Sequence, residues 1–307
     1  MNQVDASRRG LMMLGGSMMG GMLLGGAAPA SAAATVTSID LDAPGVRSRT
    51  RAKIMGSTAA EDVHTFMRIH FYAYLHEGNL IPLYTMNNLN IRRWSPQPDG
   101  SFKVKVFECG TVSKFDTEEP LDEWDNPITG ERIKVHHFRG GPLSLTVTRD
   151  GSLSTGAAAT VKPEPLNFQF IDDSIYMLQA SAFSYPNPFQ PDEWPKESSG
   201  AEAYWDSHYI YMAKINDVVD PETTQAPAYI QLQNMTSWSP WLRMGQIPGR
   251  SWGRGFGKKI AGVDDMPAFA RADLERRHPQ IFELDSWTEL VDEWGDYKRE
   301  HSAKSES

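Results

Sequence analysis

From Arg68 onward, apolar side chains recur at alternate positions in runs of six to ten residues, and clusters of Gly, Pro, Asn and Asp separate the runs. A two-residue period sends successive side chains to opposite faces of an extended chain, so the pattern predicts antiparallel strands. They are expected over Arg68–His76, Leu80–Thr85, Phe102–Glu108, Arg132–Phe138, Leu143–Arg149, Leu166–Ile171, Ile175–Ser184, Trp205–Lys214 and Tyr229–Met235. Pro98-Asp99-Gly100, Arg149-Asp150-Gly151 and Asp172-Asp173 supply turn chemistry between runs. No repeat of roughly 33 to 45 residues is visible, which disfavours a propeller or solenoid.

The C-terminal quarter changes period. Ser286 and Glu289 have the form of a capping box, and Trp287, Leu290, Val291, Trp294 and Tyr297 follow at three- and four-residue spacing, predicting an amphipathic helix with an aromatic face. A shorter helix is expected over Pro267–Arg277, ended by His278-Pro279. Two stretches carry neither period: Pro186–Gly200, rich in proline, and Ser237–Lys259, where Trp238, Trp241, Trp252 and Phe256 stand among glycines. Long irregular stretches in a compact domain are lids or binding loops, and aromatic content argues against disorder. The expected fold is therefore mainly β (α+β): a single antiparallel β-barrel or strongly curved sheet with C-terminal helices.

The N-terminal pattern belongs to a different category. Ser7-Arg8-Arg9-Gly10-Leu11-Met12 precedes an uncharged Gly/Ala/Met/Leu run that ends near Ala28-Pro29-Ala30-Ser31-Ala32. Paired arginines, an apolar stretch and small residues at cleavage distance form a twin-arginine export signal, with a membrane anchor as the competing reading. The expected organisation is a signal over residues 1–32, a single β-rich domain over 33–300 and a charged tail over 301–307. The expected location is the periplasm, with the twin-arginine translocase as partner during export and no stable membrane insertion after cleavage.

Charge and cysteine content then exclude several classes. The chain carries 30 basic and 39 acidic residues, a net charge of −9, and removal of the leader makes the remainder one unit more acidic. An acidic surface without a basic stripe disfavours nucleic acid. With Cys109 as the sole cysteine, no internal disulfide, thiolate zinc site or iron–sulfur cluster can form.

Two segments resemble a known family. One runs from Glu108-Cys109-Gly110 through Trp124-Asp125-Asn126-Pro127-Ile128-Thr129-Gly130-Glu131 to Val135-His136-His137; the other is Trp238-Ser239-Pro240-Trp241-Leu242-Arg243-Met244-Gly245 with Pro248-Gly249. Both are similar to the bacterial and fungal proteins grouped as domain of unknown function 1838. The resemblance implies one β-rich domain and supplies no reaction or cofactor. Asn126-Pro127-Ile128-Thr129-Gly130 also has a plain structural role as a turn feeding the strand at Arg132.

Strand alternation singles out the candidate chemistry. Glu108 shares a face with Phe102, Val104 and Val106, and His137 with Ile133 and Val135, so both are expected to point inward. A buried carboxyl and a nearby imidazole are raw material for general acid–base catalysis. His70 and Tyr72 belong to a polar row that would line the lumen of a closed barrel or else face solvent. Tyr209, Tyr211, Trp238 and Trp241 would wall an aromatic pocket, and Arg243 would hold an anionic or phenolic oxygen or else clamp its loop to acidic residues. A metal site built from His70, His136, His137, His208 and Glu108 is the rival, although no recognised metal-ligand spacing occurs.

These features together predict an exported, cofactor-independent enzyme, a lyase or isomerase using acid–base chemistry on an aromatic or otherwise hydrophobic small molecule. The alternatives are a non-catalytic small-molecule binding protein and a metal-dependent hydrolase or oxygenase.

Overall fold

The computed structural model describes residues 38–154 and 167–302. The expected leader, Leu166 and residues 303–307 of the charged tail lie outside them. The alternating segments form strands: β1 (Asp62–Leu75), β2 (Leu80–Pro96), β3 (Phe102–Lys114), β4 (Glu123–Asp125), β5 (Arg132–Lys134) and β6 (Arg139–Val147). They continue with β7 (Leu153–Ser154), β8 (Asn167–Ile171), β9 (Ser174–Pro186), β10 (Glu202–Lys214), β11 (Tyr229–Thr236) and β12 (Gly249–Ile260).

Ten strands make one sheet in the order β7-β6-β3-β2-β1-β12-β11-β10-β9-β8, while β4 and β5 pair separately. The first strands step outward from the centre as a meander and the last ones step back, so β1 and β12 meet in the middle, with Met67 opposite Gly257 and Phe71 opposite Gly253. The sheet is antiparallel and strongly curled into a half-barrel, which is the curved-sheet form of the expected fold.

The curl separates two apolar clusters. On the inner face, Ile69, Phe71, Tyr84, Trp94, Val104, Val112, Tyr211 and Leu232 pack with Ala52, Ile54 and Met55 of α1 (Val46–Met55) and with Trp238 and Trp241. On the outer face, Phe66, Leu89, Ile91, Phe107 and Cys109 lie under Ala270 and Leu274 of α3 (Ala268–Arg277) and under Ile281 and Trp287. Two further helices, α2 (Ile215–Val219) and α4 (Glu293–Ser302), complete the set. Among the described residues no helix is long and apolar enough to cross a membrane.

Helix α1 was not legible as a period, because Ser48, Thr50, Arg51 and Lys53 are buried alongside its apolar residues. Arg51 donates to Gly151 O at 2.7 Å and to Gln179 Oε1 at 2.6 Å, and burial lowers its pKa to about 10. Lys259 Nζ caps the other end of the helix by donating to Lys53 O at 3.1 Å and Gly56 O at 2.7 Å, satisfying carbonyls that a helix terminus leaves open.

Three expectations need correction. Ser237–Lys259 is not a lid: after a 3-10 turn at Pro240–Leu242, Gly249–Ile260 is the central strand β12. Three of its inward positions are glycines because no Cβ fits there. A Cβ would fall 2.0 Å from Asn234 Oδ1 at Gly253, 2.7 Å from Ile69 Cγ1 at Gly255 and 2.3 Å from Met67 Cγ at Gly257. Neighbouring side chains fold over this strand, and that close approach accompanies the bend of the sheet. The strand expected over Arg132–Phe138 stops at Lys134, so His136 and His137 stand in irregular chain. The Ser286 helix begins instead at Glu293, because Ser286 donates its hydroxyl to Glu283 O at 2.7 Å and closes a 3-10 turn rather than capping a helix.

Candidate active site on the inner face

In a flat sheet, Glu108 on β3 and Tyr209 on β10 would stand about 24 Å apart, since β2, β1, β12 and β11 lie between them. The curl carries them toward one another. Burial raises the pKa of the Tyr209 phenol, and the Glu108 carboxyl adds to that rise across the concavity.

The neighbours of Glu108 follow from strand register. Asn90 is its cross-strand partner, and Asn88, Asn90 and Arg92 project from the same face of β2. Asn88 Nδ2 donates to Glu108 Oε1 at 3.0 Å. Burial pushes the Glu108 pKa up, against the opposing effects of Asn88 and of the Arg92 guanidinium. Glu108, Arg92 and Tyr209 each keep partial exposure, although Leu89, Ile91, Phe107 and Tyr211 beside them in sequence are buried. The site is thus partly open and its walls are closed.

Several inward polar atoms have no partner. Arg92 Nη1 and Asn90 Oδ1 are buried and unbonded beside Glu108; Asn234 Oδ1 and Ser207 Oγ, which face each other across β11 and β10, are the same. Buried polar groups are rarely left unpaired, so the arrangement offers donors and acceptors to a small polar function. Met67, Met86, Ile69 and Leu232 supply apolar surroundings. A carboxyl whose pKa burial raises, a phenol and a free guanidinium N–H on one apolar concavity can exchange protons with a bound oxygen function.

The other sequence candidates fall elsewhere. Tyr211 joins Tyr209 on the inner face, the rings 6.1 Å apart and nearly parallel. His137 does not join Glu108: its Nδ1 accepts the Val112 N–H at 3.1 Å, and the ring lines a cleft of about 410 Å³ with His136, His278 and Glu293. Burial, then the Arg277 charge, lowers the His137 pKa to about 3. His70 and Tyr72 face outward around Phe115, with His70 Nδ1 3.0 Å from Thr85 Oγ1. Trp238 donates its Nε1 to Ile247 O at 2.8 Å, and Trp241 packs against Tyr84 and Trp124, so both are core. Arg243 sits between Glu131 and Glu197, at 3.5 and 3.3 Å, as a clamp on its loop. Cys109 is fully buried under α3 with its pKa pushed up by burial, which leaves it an inert packed thiol. Among the described residues no three His, Cys, Asp or Glu side chains converge as a metal site.

Asn88, Asn90 and Arg92 lie beyond the strand expected over Leu80–Thr85, because β2 runs on to Pro96. The signal existed: Tyr84, Met86, Asn88, Asn90, Arg92 and Trp94 continue one alternating row.

Residues 67–294 match the family described as protein of unknown function (DUF1838). The chain belongs to that family. The match spans both segments that carry the resemblance and nearly the whole sheet, from β1 to the start of α4. No curated protein matches the chain.

Proposed function

We propose that this DUF1838 protein is an exported acid–base enzyme, a lyase or isomerase acting without a cofactor on a small, largely apolar molecule that carries a carbonyl or phenolic oxygen. The observation that carries this reading is the grouping of Glu108, Tyr209 and the unpartnered Arg92 Nη1 on one partly open apolar face. Elimination and double-bond migration each need one proton removed and one delivered. A carboxyl whose pKa burial raises can do either, and the high-pKa phenol of Tyr209 remains protonated as a donor. Arg92 would hold the oxygen on which charge develops. The twin-arginine signal supports a periplasmic location, with the translocase as partner during export.

The test is incubation of the purified protein with a panel of phenolics and aryl-ether and aryl-alkene dimers, with and without chelator, followed by product chromatography. Turnover is expected to survive the chelator and to fall about 10²- to 10⁴-fold in Glu108→Gln, the range typical of general acid–base groups. Undiminished turnover in Glu108→Gln overturns the assignment, loss of turnover with chelator favours the metal-dependent alternative, and binding without turnover across the panel favours a binding protein.

A further inference from the structure

The cleft of about 410 Å³ that takes in His137 lies between residues 134–139, the C-terminal end of α3 and helix α4. Two imidazoles line it with their Nε2 atoms buried, and among the described residues neither atom has a hydrogen-bond partner. They come from different elements: His278 ends α3 and is 6 % exposed, and His137 stands in the irregular chain after β5. The tautomer of His137 is fixed by its other nitrogen. Nδ1 accepts the Val112 N–H, so the neutral ring carries its proton on Nε2. The wall of the cleft thus holds a buried N–H donor without an acceptor, which native proteins rarely keep.

The acidic groups around the cleft are engaged elsewhere. Glu293 Oε1 lies 2.8 Å from His136 Nε2, Asp296 accepts from Arg139 at 2.6 Å, and Asp122 accepts from Arg277 at 2.6 Å. These pairs hold two guanidinium groups beside the unbonded rings. After burial, the strongest influence on His137 is the Arg277 charge and on His278 the Arg139 charge, each disfavouring a protonated ring. Both imidazoles therefore sense positive charge, although the chain as a whole carries −9.

We infer that this cleft binds a small organic anion, whose carboxylate or phosphate oxygens meet the Nε2 atoms of His137 and His278 between the Arg139 and Arg277 guanidinium groups. A metal ion is the wrong partner. It needs a nitrogen lone pair, and His137 presents a proton at the nitrogen that faces the cleft. An organic cation meets two guanidinium groups at the same place. A neutral carbonyl satisfies the N–H but leaves the positive charge unanswered, so it binds more weakly than an anion of the same shape. The volume falls in the range of small-molecule sites, and Val135 and Tyr297 offer a wall for the organic part of the ligand.

Isothermal titration calorimetry of the full protein at constant ionic strength tests the inference with four probes of similar shape: benzoate, phenyl phosphate, neutral benzamide and cationic benzylamine. At least one anion should bind about ten-fold or more tighter than benzamide, and benzylamine should not bind. The tighter of the two anions identifies the headgroup as carboxylate or phosphate. Arg139→Gln and His278→Phe should each weaken that anion by about ten-fold, the effect of losing one charge-assisted contact. If a variant fails to fold, the parent protein labelled with nitrogen-15 histidine supplies a second readout by NMR. The anion should shift the ring nitrogens of His137 and His278 and leave those of His208 on β10 in place. Any of four results overturns the inference: no saturable binding of either anion at millimolar concentration, benzamide binding as tightly as both anions, unchanged affinity in both variants, or ring nitrogens of His137 and His278 that do not respond.

Discussion

The side-chain amide of Asn126 donates to the main-chain carbonyl of Leu242 at 2.8 Å, joining two segments 116 residues apart. These are the two segments that carry the family resemblance, and the bond ties one to the other in the fold. Asn126 Oδ1 accepts the N–H groups of Ile128 at 2.9 Å and Thr129 at 3.2 Å, so one buried side chain shapes its own turn and anchors the Trp238–Gly245 segment. Asn126→Ala leaves a buried carbonyl and two N–H groups without partners. It should lower stability by about 2–4 kcal/mol, measured by urea unfolding, and Asn126→Asp, which sets a carboxylate oxygen against the buried Leu242 carbonyl, should cost at least as much.

Where the sheet bends, three successive inner positions of β12, Gly253, Gly255 and Gly257, have no room for a side chain. At Gly257 an added Cβ would fall 2.4 Å from Phe66 O, a backbone atom that cannot step aside. Gly257→Ala should therefore cost on the order of 3 kcal/mol or abolish the folded state, read as a fall in melting temperature. Gly262→Ala, where nothing lies within 4 Å, is the control and should melt with the parent.

Acid should unfold this protein partly through two imidazoles. His137 and His278 line one cleft, and burial holds their pKa values at about 3 and about 4, below the ordinary 6.5. Below pH ~6.5 the unfolded chain takes up protons that the folded chain refuses, so stability is complete above that pH and falls as pH drops toward 4. Two such groups together give a slope of up to about 2.7 kcal/mol per pH unit. Denaturant titrations at pH 7, 6 and 5 should show it, and His278→Gln should reduce the slope by about half.

Glu108 should weaken the fold in the opposite pH direction. Its folded-state pKa is raised, chiefly by burial, so above pH ~4.3 the unfolded chain ionises first and stability declines with rising pH until the folded carboxyl also ionises. Glu108→Gln removes that penalty. The variant should melt higher than the parent at pH 8, with a smaller difference at pH 4, while losing turnover, as expected where a site is kept for chemistry rather than stability.

Much of the fold was legible in the residues, and the exceptions share one cause. Strands whose inner face is apolar announce themselves by alternation: β3 is expected over Phe102–Glu108 and runs over Phe102–Lys114, with Glu108 on the side of Phe102, Val104 and Val106. Strand β12 did not, because three of its inner positions are glycine and its outer ones are arginine, lysine and rings. Helix α1 did not, because its buried residues include Arg51 and Lys53, whose polar ends are satisfied by turn carbonyls and a strand amide from distant parts of the chain. Local pattern reports burial only where the buried residue is itself apolar.

The sequence by itself determined the antiparallel β class, the helix at Pro267–Arg277 and the side of its strand on which Glu108 stands, because each follows from the spacing of neighbours within a few residues. The tertiary structure decided the company Glu108 keeps: it set Asn88 and Arg92 beside it and Tyr209 across the concavity, and it sent His137 to a different cleft. The physical reason is the curl. Strand pairing is set residue by residue, but bringing β3 near β10 depends on how far ten strands bend together, which no run of neighbours along the chain reports.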